Sequence, residues 1–428
     1  MRTGYDRECA LAAAPTRDVQ QTGPMDTDQP PTTTTRLLGW LGALAIVAFL
    51  GVAVGATLGD VRYQPSSDEG FYLKYMQEVC GRGPGALPDL FRFYLGDTRA
   101  HIFPPPRRVG CVAVSAAGGG LTETTLPATL PLAAPLGFPD ELVAPVGNEF
   151  TDERTALGRA LFFDPLLSRD RTVACASCHQ PEHGMADPRA RSLGVDGKLS
   201  RRNAPTLFNR GHASTQMWDG AAESLEEQAL MPLENPDEMA LPVEDALARL
   251  RAEPRHAARF EAAYGALTRD SLARALAQFV RRLQLGNSPV DRFRAGDVTG
   301  LSLQERTGMW LFESRAGCWR CHSGPNFSDE RFHSTGIGVR DGEAEPGRAA
   351  ITGDAADRGR FKTASLRALA LTAPYMHDGS LATLEEVVEF YARGGNPHPQ
   401  LDPELRAFDA TSEERAALVA FLQALSRP

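Results

Sequence analysis

The chain has 428 residues, 42% of them hydrophobic, with 45 basic against 54 acidic side chains and a formal net charge of -9. That apolar content can fill real cores and excludes a disordered chain, and the acidic balance argues against nucleic acid as the partner. Many Ala, Leu, Arg and Glu residues favour helices, and 40 Gly with 31 Pro predict long loops between them.

Residues 1–36 are polar and rich in Thr, Pro, Gln and Asp, and read as a disordered tail. Residues 37–59 follow without a charge. As a helix they span about 35 Å, enough to cross a bilayer. Their length and the long tail before them favour an uncleaved anchor over a cleaved signal. On either reading the remainder is exported. Arg36 and Arg62 flank the span and leave its orientation open.

Residues 60–134 are an uncertain linker region, punctuated by Pro104-Pro105-Pro106 and Gly118-Gly119-Gly120. Cys80 and Cys111 could form a disulfide in an oxidising compartment or remain thiols, since spacing does not fix their distance. The Pro-rich run 127–145 reads as a tether.

From Thr151 the pattern becomes regular. Thr151 caps a predicted helix with Leu157, Leu161 and Phe162 on one side, ended by Asp164-Pro165. Further helices are predicted over 223–230 and 243–250, the latter stopping near Pro254. Another carries Leu272, Leu276, Phe279 and Leu283 at helical spacing. Ser302 with Glu305, Thr383 with Glu386 and Thr411 with Glu414 form capping boxes, and the helix from Thr383 stops at Gly394-Gly395. Strand-like alternation is nearly absent. The expected fold is all-α: two cytochrome c-like domains, 135–290 and 291–428, each wrapped round one cofactor.

That cofactor is written into the sequence twice, as Cys175-Ala-Ser-Cys178-His179 and Cys318-Trp-Arg-Cys321-His322. Cys-x-x-Cys-His is the attachment signature of a c-type haem. Two thiols three positions apart can form thioethers to the two vinyl groups of one porphyrin, and the following imidazole can bind its iron. A four-cysteine zinc site would have to join pairs 143 residues apart and would leave both histidines unexplained. A thioredoxin-like pair would want a βαβ setting, which the sequence lacks. Covalent attachment of this kind takes place outside the cytoplasm in bacteria, in agreement with export.

Residues 157–168 (Leu-Gly-Arg-Ala-Leu-Phe-Phe-Asp-Pro-Leu-Leu-Ser), both haem motifs, 202–206 (Arg-Asn-Ala-Pro-Thr), Trp218-Asp219-Gly220 and 373–379 (Ala-Pro-Tyr-Met-His-Asp-Gly) resemble the bacterial dihaem cytochrome c peroxidase and MauG family. The resemblance covers about residues 135–428 and leaves out 1–134. It implies one haem that reacts with hydrogen peroxide and one that passes electrons or oxidising equivalents.

For the first haem the resemblance makes His179 the proximal ligand. The family's usual second His, sixteen residues on, is replaced by Val195, and Gly194, Asp196 and Gly197 offer no substitute. The first iron is therefore expected to keep an open site without reductive activation. The family's acid–base Glu matches Glu238, its distal Gln matches Gln228, and the Trp between its haems matches Trp218. Without the resemblance, Glu238 would read as a solvated loop carboxylate and Trp218 as a core residue.

For the second haem His322 is the proximal ligand. The family's sixth ligand, fourteen residues after His377, falls on Tyr391, as in MauG. A phenolate donates charge to iron and favours its higher oxidation states, whereas a thioether favours the ferrous state. Met376 and His377 are rival ligands, and Tyr391 also fits the apolar face of Val387, Val388 and Phe390. The family's calcium maps onto the Asn203 side chain and the Thr372 and Pro374 carbonyls, oxygen donors suited to Ca²⁺. His183, His212, His256 and His333 are assigned no role.

These residues predict an exported, membrane-anchored periplasmic dihaem peroxidase. Its reductant is expected to be a small redox protein of cytochrome or cupredoxin type, or a residue of a protein substrate. The competing reading is a dihaem electron carrier or redox sensor, which would need both irons six-coordinate.

Overall fold

The computed structural model describes Leu126, Leu130 and residues 133–138, 142–340 and 342–426. The expected tail, the apolar span 37–59, Cys9, and Cys80 with Cys111 lie outside the described residues. Among the described residues no helix is long and apolar enough to cross a membrane.

The fold is mainly helical. Helix α1 (Asp152–Phe162) starts where Thr151 Oγ1 accepts from Arg154 N at 3.1 Å, with Asp152 and Glu153 in its first turn, where they favour the positive end of the helix dipole. It ends at Phe162, and the Asp164 carboxylate just beyond caps the turn Pro165–Leu167. Helix α2 (Leu225–Glu234) begins later and ends later than its sequence suggests, carrying Pro232 in its last turn. Helix α3 (Val243–Ala252) is followed at once by α4 (Pro254–Tyr264). Pro254 therefore starts a helix rather than only stopping one, because the first helical position needs no N–H. Helices α5 (Arg269–Arg282) and α6 (Pro289–Arg294) complete the first half.

The second half contains α7 (Leu303–Phe312), α8 (Leu384–Ala392) and α9 (Ser412–Ala424). All three expected capping boxes form. Glu305 N, Glu386 N and Glu414 N donate to the hydroxyls of Ser302, Thr383 and Thr411 at 3.2–3.3 Å, and each Glu carboxylate accepts from its capping residue's N–H. Gly394 and Gly395, both at positive φ, end α8 with N–H groups that return to the Tyr391 and Phe390 carbonyls. One two-residue pair, Phe332–His333 with Phe361–Lys362, is the antiparallel sheet of the described residues.

The two halves repeat one construction. Helix α1 crosses α5 at Gly158, where an added Cβ would lie 1.9 Å from the Ala275 carbonyl oxygen. Helix α7 crosses α9 at Gly308, where a Cβ would lie 1.9 Å from the Ala417 oxygen. One turn on, Phe162 meets Phe279 with ring centroids 5.0 Å apart at 53°, and Phe312 meets Phe421 at 5.0 Å and 54°. Each crossing precedes a haem motif. Phe162 and Phe279 belong to a shared apolar cluster, while Phe312 and Phe421 belong to the core of the second half. Burying each ring contributes about 1.5–3 kcal/mol.

The run 127–145 is not a free tether at its described residues. Leu136 N–H donates to Asn287 Oδ1 at 2.8 Å, and Asn287 N–H returns to the Leu136 carbonyl at 3.0 Å. Arg282 donates to the Leu130 carbonyl, and the Arg367 guanidinium lies over the Phe138 ring. Leu126, Leu130 and Leu142 are buried. This segment is strapped across both halves because its apolar side chains and main-chain groups find partners there.

Candidate active site

The four motif cysteines are unpaired thiols. Burial pushes Cys175 and Cys318 up to about 12 and Cys178 up to about 11, so all three stay protonated. His179 donates from Nδ1 to the Met185 carbonyl at 3.1 Å, and His322 from Nδ1 to the Phe327 carbonyl at 2.9 Å. That tautomer leaves each Nε2 as the nitrogen able to bind a metal. Burial lowers both imidazoles below their ordinary range, which keeps them neutral, the form a metal requires. Thiol pairs beside imidazoles oriented from behind fit two covalently held haems.

Around the first motif the decisive contact is main-chain. Val195, buried, donates its N–H to the Glu238 carbonyl at 2.8 Å. Gly194 leaves room for this approach: a Cβ there would sit 2.2 Å from the Asp237 oxygen and 2.6 Å from the Glu238 oxygen. The loop carrying Val195 is thus pressed on the Asn235–Met239 turn. Glu238 Oε1 accepts from Asn235 Nδ2 at 2.9 Å. Burial raises the Glu238 carboxyl above the usual carboxylate range, the Asn235 bond opposes this, and Asp237 adds to it. Its charge is felt at both Cys175 and Cys178, which places it beside the first motif. Gln228 is half-buried on α2, ten residues earlier.

Around the second motif a large cavity is lined by Cys318, Cys321, His322, Tyr391, Trp218 and Met376 among others. Burial raises the Tyr391 phenol above the ordinary value, and Tyr391 lies beside both cysteines. His377 reaches the same cavity, but its Nε2 is held by Glu345 Oε1 at 2.6 Å and its ring stacks on Phe361 at 3.6 Å. His333 is clamped between Asp329 and Asp402 at 2.9 and 2.7 Å.

Two matching turns face each other across a Trp218–His377 ring contact. Gln216 bridges to Ala222 around Met217-Trp218-Asp219-Gly220, and Tyr375 bridges to Leu381 around Met376-His377-Asp378-Gly379. Both Met and both Gly have positive φ. Gly379 is pressed on the first half, since a Cβ there would lie 2.5 Å from Ala190 Cα. Asn203 joins the turns: its carbonyl accepts from Trp218 Nε1 at 2.8 Å and its N–H donates to the His377 carbonyl at 2.8 Å. The Asn203 Nδ2 group points at the Arg189 and Ala190 carbonyls. Asn203, Thr372 and Pro374 all line the cavity of the second motif. Sequence reasoning placed Arg202 in a family motif without a role and missed Glu345 altogether. Arg202 pairs with Asp219 at 2.5 Å and Glu345 at 3.5 Å, and its guanidinium lies over Phe361.

A family model described as di-haem cytochrome c peroxidase matches residues 152–299. The methylamine utilization protein MauG of Methylorubrum extorquens is 38% identical over 322 residues, which cover 74% of this chain and 91% of that protein. The cytochrome c551 peroxidase of Nitrosomonas europaea is 37% identical over 274 residues, covering 63% of this chain and 79% of that one. Among solved structures, a MauG-like protein associated with microbial copper homeostasis is similar with a TM-score of 0.63 at 33% identity, covering 71% of this chain and 95% of that one.

Proposed function

The chain belongs to the dihaem cytochrome c peroxidase and MauG family, and from that premise we propose how its two halves divide the work. It is a haem peroxidase that acts on hydrogen peroxide and carries two haem c groups. When bound, the haems supply redox-active iron. Cys175, Cys178 and His179 hold the first, and Cys318, Cys321 and His322 the second.

The observation that carries the reading is the Val195–Glu238 main-chain bond. Val195 has no atom that can ligate iron, and its loop is pinned where the family's closing His would stand. The first site therefore admits peroxide at rest, and Glu238 stands beside it. Glu238 takes a proton from the near peroxide oxygen and returns it to the far one, and its raised carboxyl range suits both halves of that transfer. Gln228 orients the peroxide by hydrogen bonding. Trp218 offers an oxidisable indole between the two cofactor sites, and Tyr391 would hold the second iron as a phenolate. Burial alone keeps Tyr391 a neutral phenol, so its ionisation depends on the metal's charge.

The external reductant is a small redox protein of cytochrome or cupredoxin type, or a residue of a protein substrate. Asn203, Thr372 and Pro374 offer oxygen donors to a calcium ion that ties the two turns together. Export to the periplasm follows from the haem chemistry, and inner-membrane anchoring rests on residues 37–59. An electron-carrier reading needs a second ligand on the first iron, which Val195 does not supply.

An electron paramagnetic resonance spectrum of the resting ferric enzyme tests this. A high-spin component that changes on adding peroxide, with no prior reduction, is expected. A spectrum that is wholly low-spin would contradict the open site.

A further inference from the structure

The cavity beside Cys318 and Cys321 carries a charged cluster that the peroxidase reading leaves unused. Arg210, from the first half, and Lys362, from the short strand 361–362, both line it. Their side chains are 13% and 6% exposed. Arg210 donates Nη2 to the Thr215 carbonyl at 2.8 Å and Nε to Gln216 Oε1 at 3.0 Å. Lys362 Nζ donates to the same Thr215 carbonyl. The acid between the two cations is Glu330, 3.8 Å from Arg210 Nη1 and 3.4 Å from Lys362 Nζ.

Two observations say this cluster is built for one more carboxylate. The first is charge: two cations face one anion, and a buried unmatched charge is costly. Burial, with the Arg210 charge adding to it, pulls the Lys362 ammonium down to about 7 against the pull of Glu330. The second is hydrogen bonding: the hydroxyl of Thr215, whose carbonyl receives both cations, is buried without a hydrogen-bond partner and can donate to a carboxylate oxygen. Other basic groups of the lining have a counter-ion or reach solvent. Arg320 pairs with Glu404 at 2.6 Å, and Arg406 is exposed.

We propose that Arg210 and Lys362 seat a propionate carboxylate of the second haem, with Glu330 trimming the local charge so that one carboxylate neutralises it. The proposal rests on the reading that Cys318, Cys321 and His322 hold a haem c. A porphyrin carries apolar edges and two propionates. Phe312, Leu418 and Leu422 line the same cavity and suit the former, and the cationic pair suits the latter. The seat also makes the charge of Lys362 and Glu330 part of what sets the second haem's reduction potential.

The test is a redox titration of the intact holoprotein in which each haem is followed by its own absorbance, with resonance Raman of the propionate bending mode. Lys362→Gln should move the second-haem midpoint negative and shift that mode. Glu330→Gln should move the midpoint positive. Lys362→Arg should stay near the unsubstituted protein, and the first haem should not move. Opposite shifts from the two neutralising variants are not expected of a merely structural cluster. If Lys362→Gln does not fold, Glu330→Gln and Lys362→Arg still decide the matter. Two attached haems by pyridine haemochrome with an unmoved second midpoint would overturn the seat, as would a shift confined to the first haem. Fewer than two haems in the unsubstituted protein would fell the cofactor reading, and this proposal with it.

Discussion

Trp218 and His377 stand at the same point of two matching turns and meet edge to face, ring centroids 6.3 Å apart at 64°. Asn203 holds both, one through its carbonyl and one through its N–H. The contact joins the halves of the molecule, and on the proposed reading it lies on the route of the oxidising equivalent. Trp218→Phe keeps an aromatic ring, loses the bond to Asn203 and should cost about 1 kcal/mol or more. It should also slow turnover with an external reductant more than it slows the first reaction with peroxide. Stopped-flow mixing with peroxide, set beside steady-state turnover, separates the two. Equal slowing of both would remove Trp218 from the route.

Glu238→Gln should lower the rate of peroxide cleavage by about 10²–10⁴ while haem content stays intact. The pH dependence follows from burial. The carboxyl holds its proton above the usual Glu range, and the base form that accepts the first peroxide proton appears only above that raised value. The rate should therefore fall on acidification, starting at a pH where an ordinary Glu would still be ionised. The Gln variant should be slow at every pH without this limb. The folded chain also binds that proton more tightly than the unfolded one. The associated stability is complete below the unfolded value and lost as pH rises through the folded one.

Tyr391→Phe removes the one phenol beside Cys318 and Cys321 for which ligation is proposed. The absorbance and resonance spectra of one haem should change while those of the other stay. Unaltered spectra at both would reject ligation and return Met376 to consideration, since His377 Nε2 is already committed to Glu345.

Gly308→Ala should destabilise the second half strongly, because the new Cβ would fall 1.9 Å from a helix carbonyl that cannot move alone. Overpacking of this kind costs about 1–3 kcal/mol and sometimes more. Thermal unfolding followed at both haems should show a clear drop. An unchanged transition would mean that α7 and α9 can part without loss.

What the sequence made legible was local. The haem motifs and the boxes at Ser302, Thr383 and Thr411 are each written within six residues, and the boxes form as expected. Pro254 misled because a proline both stops one helix and starts the next, and only packing decides whether the next exists. The strap at Leu136 was invisible because its partner, Asn287, is 151 residues away. The pairing of Arg202 with Glu345 was invisible for the same reason, the two being 143 residues apart. Glu238 and Tyr391 came from family resemblance, since nothing in their immediate neighbours sets a catalytic carboxylate or a ligand phenol apart from an ordinary one.

The paired glycine crossings give the molecule a built-in reference. Because Gly158 and Gly308 solve the same steric problem in two places, a change made at one has an untouched twin in the same polypeptide, at the same temperature and ionic strength. Whatever such a change alters at one iron and leaves alone at the other belongs to the framework beneath that porphyrin, and it can be measured by subtraction within a single sample.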